Sequence, residues 1–150
     1  MITDEKKEWL ETMYTSFTQA LFAMGKVPTL YMVVVDGKAE VMPEAPPDMA
    51  QSLLPTVVSA YANARAAEFI LHISESWALE VKDKKIPETR PSESPDRIEM
   101  LTMIIGEPSG KIHLITGEIK RASDNTPYVE NWEWGHNAIS PSGLVQSFDD

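Results

Sequence analysis

From Trp9 to Met24 the apolar residues recur every three or four positions: Trp9, Leu10, Met13, Tyr14, Phe17, Leu21 and Met24. That spacing predicts an amphipathic helix over 4–24 with one wide apolar stripe. Acidic residues crowd its first turn, where they favour the helix dipole, and Gly25 supplies a C-terminal stop. The period then changes. Thr29 to Val35 is a β-branched and aromatic run ending in Asp36-Gly37, a hairpin signal, and a short strand returns over Lys38 to Met42. Pro43-Glu-Ala-Pro-Pro47 breaks the chain before Asp48, which with Gln51 reads as a helix N-terminus. This second helix is expected to run to about Ala67 with Leu54, Val57, Val58, Tyr61 and Ala64 inward. Pro55 either kinks it or marks its true first turn.

Beyond it the period becomes two. In Phe69-Ile-Leu-His-Ile-Ser-Glu-Ser-Trp-Ala-Leu-Glu-Val81 the odd positions are Phe, Leu, Ile, Glu, Trp, Leu and Val. One face of this strand is apolar except for Glu75, and the other, with His72, Ser74 and Ser76, reads as wet. A loop over Lys82 to Asp96, carrying Pro87, Pro91 and Pro95, leads to an apolar strand from Arg97 to Glu107. That strand turns at Pro108-Ser-Gly110 into another over Lys111 to Arg121, and Tyr128 to Trp134 can add a last one. The tail is polar and is expected to be loose or packed along the surface. The order α-β-β-α-β-β-β predicts an α+β fold: an antiparallel sheet of about five strands with both helices on one face. The domain is expected over 1–135 with a tail over 136–150.

The strand over 97–107 is apolar on both faces. Ile98, Met100 and Ile104 point one way, and Leu101, Met103 and Ile105 the other. Something must cover the second face, either the C-terminal segment or another subunit, so a homodimer is expected.

Composition narrows the class. The 150 residues, 43% of them hydrophobic, suffice for one core. A net charge of −10 argues against nucleic acid and anionic membrane surfaces. Lys82-Asp-Lys-Lys85 is the densest basic cluster and has acidic neighbours, as a solvated loop does. Without cysteine there is no disulfide framework, thiolate metal site or cysteine nucleophile. The polar start of the chain lacks the apolar core of a signal peptide, and no apolar run approaches the ~20 residues of a membrane helix. A cytoplasmic protein is the expectation.

Glu75 is the chemical anomaly, because a carboxylate on an apolar face needs a partner or a task. If the two long strands are neighbours, Glu75 can meet Arg97 near the loop end, beside Trp77 and Glu99. Glu75, Trp77, Arg97 and Glu99 are therefore the candidate cluster. They form either an inward ion pair that anchors the loop or an acid–base pocket floored by Trp77. His72 and Glu75 are an odd number of positions apart on a strand, so they cannot share a metal ion. His113 and His136 lie elsewhere, and no spacing supports a metal or a cofactor. Ser74 and His72 share a face, which is the minimal arrangement of nucleophile and base, although a wet face explains them as well. Trp132 and Trp134 are expected to pack in the core or between subunits.

Ile73-Ser-Glu-Ser-Trp77, followed by Pro91-Ser-Glu-Ser-Pro-Asp-Arg-Ile-Glu99, resembles an uncharacterised family of small bacterial and phage-associated proteins. The shared pattern is Ser-Glu-x-Trp, then Pro-Ser-x-x-Pro-x-Arg-x-Glu, then an apolar strand. The resemblance spans 69–107 and implies that Glu75, Trp77, Pro91, Ser92, Arg97 and Glu99 form one local unit. In element order alone the chain resembles roadblock and profilin-like domains, which implies scaffolding or dimerisation. The leading expectation is a non-enzymatic domain that homodimerises or binds a partner. The alternative is a small-ligand-binding protein or enzyme with its pocket at Glu75, Trp77, Arg97 and Glu99.

Overall fold

The computed structural model describes residues 2–42, 53–80, 98–136 and 144–146, with the backbone alone at 54, 76–80, 136 and 144–146. Helix α1 spans Asp4–Met24. The Thr3 hydroxyl accepts from the Lys6 amide at its start, and Gly25, at φ 82°, closes its end with an N–H to the Leu21 carbonyl. Strands β1 (Leu30–Val35) and β2 (Lys38–Val41) form a hairpin whose turn, Asp36-Gly37, has φ 51° and 75°. Two left-handed residues suit the twist of a two-residue hairpin, as the Asp-Gly pair implies. Helix α2 is Leu54–Ala64, with Pro55 inside its first turn rather than at a kink. The expected start at Asp48 and Gln51 lies outside the described residues.

Then come β3 (Phe69–Glu80), β4 (Ile98–Gly106), β5 (Ile112–Arg121), β6 (Pro127–His136) and β7 (Leu144–Gln146). The fold is α+β. Its sheet follows the path β2-β1-β3-β4-β5-β6, every pair antiparallel, and β7 pairs with β3. The expectation of about five strands falls short at β6, where Pro127 to His136 pairs along most of β5, and at β7, inside the tail.

The helices do not share a face, which corrects the expected architecture. Leu10, Tyr14 and Leu21 of α1 pack with Met32, Val34, Leu71, Ile73, Leu101, Met103, Ile105 and Ile115. Val58 and Ala62 of α2 pack with Tyr31, Val33, Val35 and Ile70, the alternate positions of β1 and β3. The physical reason lies in β1, which is apolar at all six positions and so needs cover on both sides. The inward face of α2 is also rotated from expectation. Val58 and Ala62 are buried, whereas Val57 and Ala64 are exposed.

On the second face of β4 and β5, Met100, Thr102, Leu114 and Thr116 are each at most 1% exposed, whereas Ile98 and Ile104 are half-buried and Ile112 is 48% exposed. Ser74, on the supposedly wet face of β3, is buried as well, directly opposite Thr102.

The tightest packing lies where α1 meets a β-bulge. Between Thr116 and Glu118 the register shifts, so that Asn131 and Trp132 of β6 face Gly117 alone, and Asn131 adopts φ 53°. Tyr14 is fully buried there, and its hydroxyl donates to the Leu101 carbonyl at 2.7 Å. Burial pushes its phenol well above the ordinary range. A Cβ on Gly117 would collide with Val129 Cγ1 and come within 2.8 Å of the Tyr14 hydroxyl, so only glycine fits. Tyr14→Phe is expected to destabilise the fold by about 1–3 kcal/mol through the orphaned carbonyl. Gly117→Ala is expected to cost a similar amount by overpacking. Urea denaturation of both variants checks this, and unchanged midpoints would remove the pairing from the core.

Candidate functional site

Glu75 sits in β3 opposite Leu101, on the face that α1 covers. The helix ends at Met24, however, and the chain turns through Gly25 to the buried Val27. Glu75 therefore lies at the rim of the core and is exposed, and its carboxylate accepts from the Val27 amide at 3.3 Å. Strand alternation placed it on an apolar face, and the end of the covering helix leaves it in water. The desolvation problem that marked it does not arise.

Glu99 takes a different partner from the expected cluster. Met100 faces Glu118 across the β4–β5 hairpin, which puts Glu99 and Arg121 on one face, and Arg121 Nη2 donates to Glu99 at 3.1 Å. Trp77 faces Glu99 in the register, but its side chain, like Arg97 and the loop over 82–96, lies outside the described residues. Among the described residues the structure thus brings Glu75 to a backbone amide and Glu99 to Arg121.

Two polar clusters were not anticipated. At the edge of the sheet Tyr61 donates to Glu40 at 2.7 Å, and Arg65 donates to both Glu40 oxygens at 3.1 and 2.8 Å. The guanidinium also lies 5.7 Å from the Tyr61 ring centre. The Tyr61 hydroxyl, and then the Arg65 charge, hold the Glu40 carboxyl below its ordinary value. This fork ties α2 to the edge strand β2. The sequence signal was the Tyr61–Arg65 spacing of one helical turn.

In the second cluster His113 Nε2 donates to Glu107 at 2.7 Å, with side chains 9% and 10% exposed. The two residues flank the Pro108-Ser-Gly110 turn, so the pair clamps the β4–β5 hairpin. The hydrogen bond from His113 holds the Glu107 carboxyl below its ordinary value. His72, by contrast, stacks on Tyr31 with ring centres 4.4 Å apart, and burial lowers its pKa. Its position against an aromatic ring is that of a packed side chain rather than a general base beside Ser74.

A row of hydroxyls crosses the second face. Ser74 faces Thr102, Thr102 faces Thr116, and Thr116 faces Glu133. The Thr116 hydroxyl is buried without a hydrogen-bond partner among the described residues.

No group of three or more histidines, aspartates and glutamates among the described residues could hold a metal ion. Among the same residues no helix is long and apolar enough to cross a membrane. No protein-family model, curated protein or solved structure matches this chain.

Two outcomes follow from these geometries. Glu75→Gln, at an exposed rim position, is expected to leave stability within about 0.5 kcal/mol. A loss beyond that in thermal denaturation would restore the clasp. Glu107→Gln is expected to cost about 1–3 kcal/mol at neutral pH. Because the folded carboxyl lies below its ordinary 4.5, its contribution is complete above that pH and fades as pH falls through the depressed value. Urea titrations of both proteins from pH 7 to pH 3 should therefore converge at the acid end.

Proposed function

We propose that this chain is a cytoplasmic protein-association domain that pairs with a second copy of itself and carries out no catalysis of its own. The observation that supports the reading is the outer face of α2. Residues 49–64 include no charged side chain, in a chain where 24% of residues are charged. Its solvent side carries only uncharged residues, Thr56, Ser59 and Asn63 among them, and a helix with an uncharged outer face can lie between two surfaces. Here Val58 and Ala62 are buried, while Leu53 is 53% and Val57 41% exposed. Ala60 and Ala64 are exposed on the same helix and small enough to let a partner helix approach within about 8–10 Å.

The choice of a second copy comes from charge. Two chains of −10 repel wherever carboxylates meet, and an uncharged helix face lets them touch without that penalty. At its rim Glu40 and Arg65 already satisfy each other. Elsewhere among the described residues Glu99 pairs with Arg121, and Glu107 is hydrogen-bonded to His113. Such self-satisfied pairs support a structural role rather than an acid–base one.

Sedimentation tests the reading. The wild type is expected to be dimeric at micromolar concentration. Val57→Glu places two carboxylates face to face, costs several kcal/mol of association and weakens the dimer by about a hundredfold or more. Because Val57 faces solvent, the circular dichroism of the variant should match the wild type. A wild type that stays monomeric, or a Val57→Glu protein that dimerises equally well, would overturn the proposal.

A further inference from the structure

We propose that two copies join through β2, edge to edge and antiparallel about a two-fold axis at Ala39, so that their sheets run on as one. The inference rests on the reading that two copies associate, and it names the strand that joins them. An eleven-residue helix is about 16 Å long. One face of it falls short of the roughly 800 Å² per partner in a standard interface, so a dimer that uses α2 needs a second element.

The path of the sheet ends at β2 and at β6. As an edge β6 is blunted: it opens with Pro127, carries the bulge at Asn131, and bears Glu130 and Glu133. β2 has neither proline nor bulge, and its four residues pair with β1 in unbroken register. Just beyond them the Met42 amide donates to the Tyr31 carbonyl at 2.9 Å. Backbone groups alternate between the two sides of a strand. Those of Glu40 and Lys38 therefore turn to β1 as well, and those of Ala39 and Val41 point out of the edge. Val41 is 62% exposed there. α2 leans over the same edge, because Tyr61 and Arg65 reach Glu40. Val57 lies one helical turn before Tyr61, which sets its exposed side chain on the β2 side of the helix.

Charge selects the register. Residues that face each other across antiparallel strands share a side of the sheet, so a two-fold axis between two β2 strands passes through a residue and its own counterpart. An axis at Lys38 or at Glu40 sets like charges directly opposite each other, and an axis at Val41 sets Glu40 against Met42. An axis at Ala39 sets Lys38 of each copy opposite Glu40 of the other, so that two ion pairs form. It also lets the outward amide and carbonyl of Ala39 bond to those of its counterpart. The side chains are ready for this. Lys38 is exposed, and Glu40 Oε1 accepts one bond among the described residues, from Arg65, where a carboxylate oxygen has room for a second.

The chain has no cysteine, so an introduced thiol reports the axis directly. A hydrogen-bonded antiparallel pair holds its Cα atoms about 5.5 Å apart, within disulfide range. Oxidised Ala39→Cys protein is expected to become a covalent dimer at micromolar concentration. Val41→Cys is expected not to cross-link, because four residue rises, about 13 Å, separate it from its counterpart. Lys38→Glu, at an exposed position, sets carboxylates against Glu40 of the other copy. It is expected to weaken the dimer at least tenfold in sedimentation with unchanged circular dichroism, and it serves if Ala39→Cys impairs folding. Ala39→Cys that fails to cross-link, Val41→Cys that does so as readily, or Lys38→Glu that dimerises like the wild type would overturn the β2 pairing. Any of these in a chain whose wild type is dimeric leaves association standing, whereas a monomeric wild type overturns both readings. Ala39→Cys dimers that persist when Val57→Glu is added retain the β2 pairing and remove α2 as a contact.

Discussion

The hydrogen bond from the Tyr14 hydroxyl to the Leu101 carbonyl fixes how the main helix lies on the sheet. It joins residues 87 positions apart that are both 0% exposed, so its loss would leave a buried polar group without that partner. The site exists only because three local features coincide. Gly117 removes a side chain, the bulge sets both Asn131 and Trp132 of β6 opposite it, and Trp132 leans on Tyr14 with ring centres 6.0 Å apart. With α1 pinned at its middle, its first turns reach β6, where Lys7 lies 5.5 Å from the Trp134 ring centre. It ends at Met24, and the chain beyond it brings the Val27 amide to Glu75. The exposure of Glu75 is thus a consequence of where α1 is anchored.

The two faces of the sheet are covered unequally. On one, α1 spans most of the width and buries a large cluster. On the other, α2 closes a small cluster over β1 and β3 and turns an uncharged side to solvent. The charges of this acidic chain are elsewhere, many of them locked in pairs. The proposed association surface rests on this distribution of charge.

The outline of the fold was legible because its elements are strongly periodic. The stripe of α1, the Asp-Gly hairpin and the alternation of β3 each depend on neighbours in sequence. The side of the sheet on which α2 packs depends on the other face of β1, yet its signal was present: Leu30 to Val35 shows no alternation at all. Glu75 was singled out by alternation, but alternation says nothing about where a covering helix ends. Glu99 meets Arg121 because of the hairpin register at Pro108, and no spacing along the chain encodes that.

The sequence by itself determined most of the helical and strand segments and the absence of any thiol chemistry. These follow from local periods and residue types. Only the tertiary structure decided that the helices lie on opposite faces, that Glu75 is at a rim, and that Tyr14 and Gly117 form one joint. Each depends on register and burial between distant segments, where a shift of one residue exchanges core for solvent.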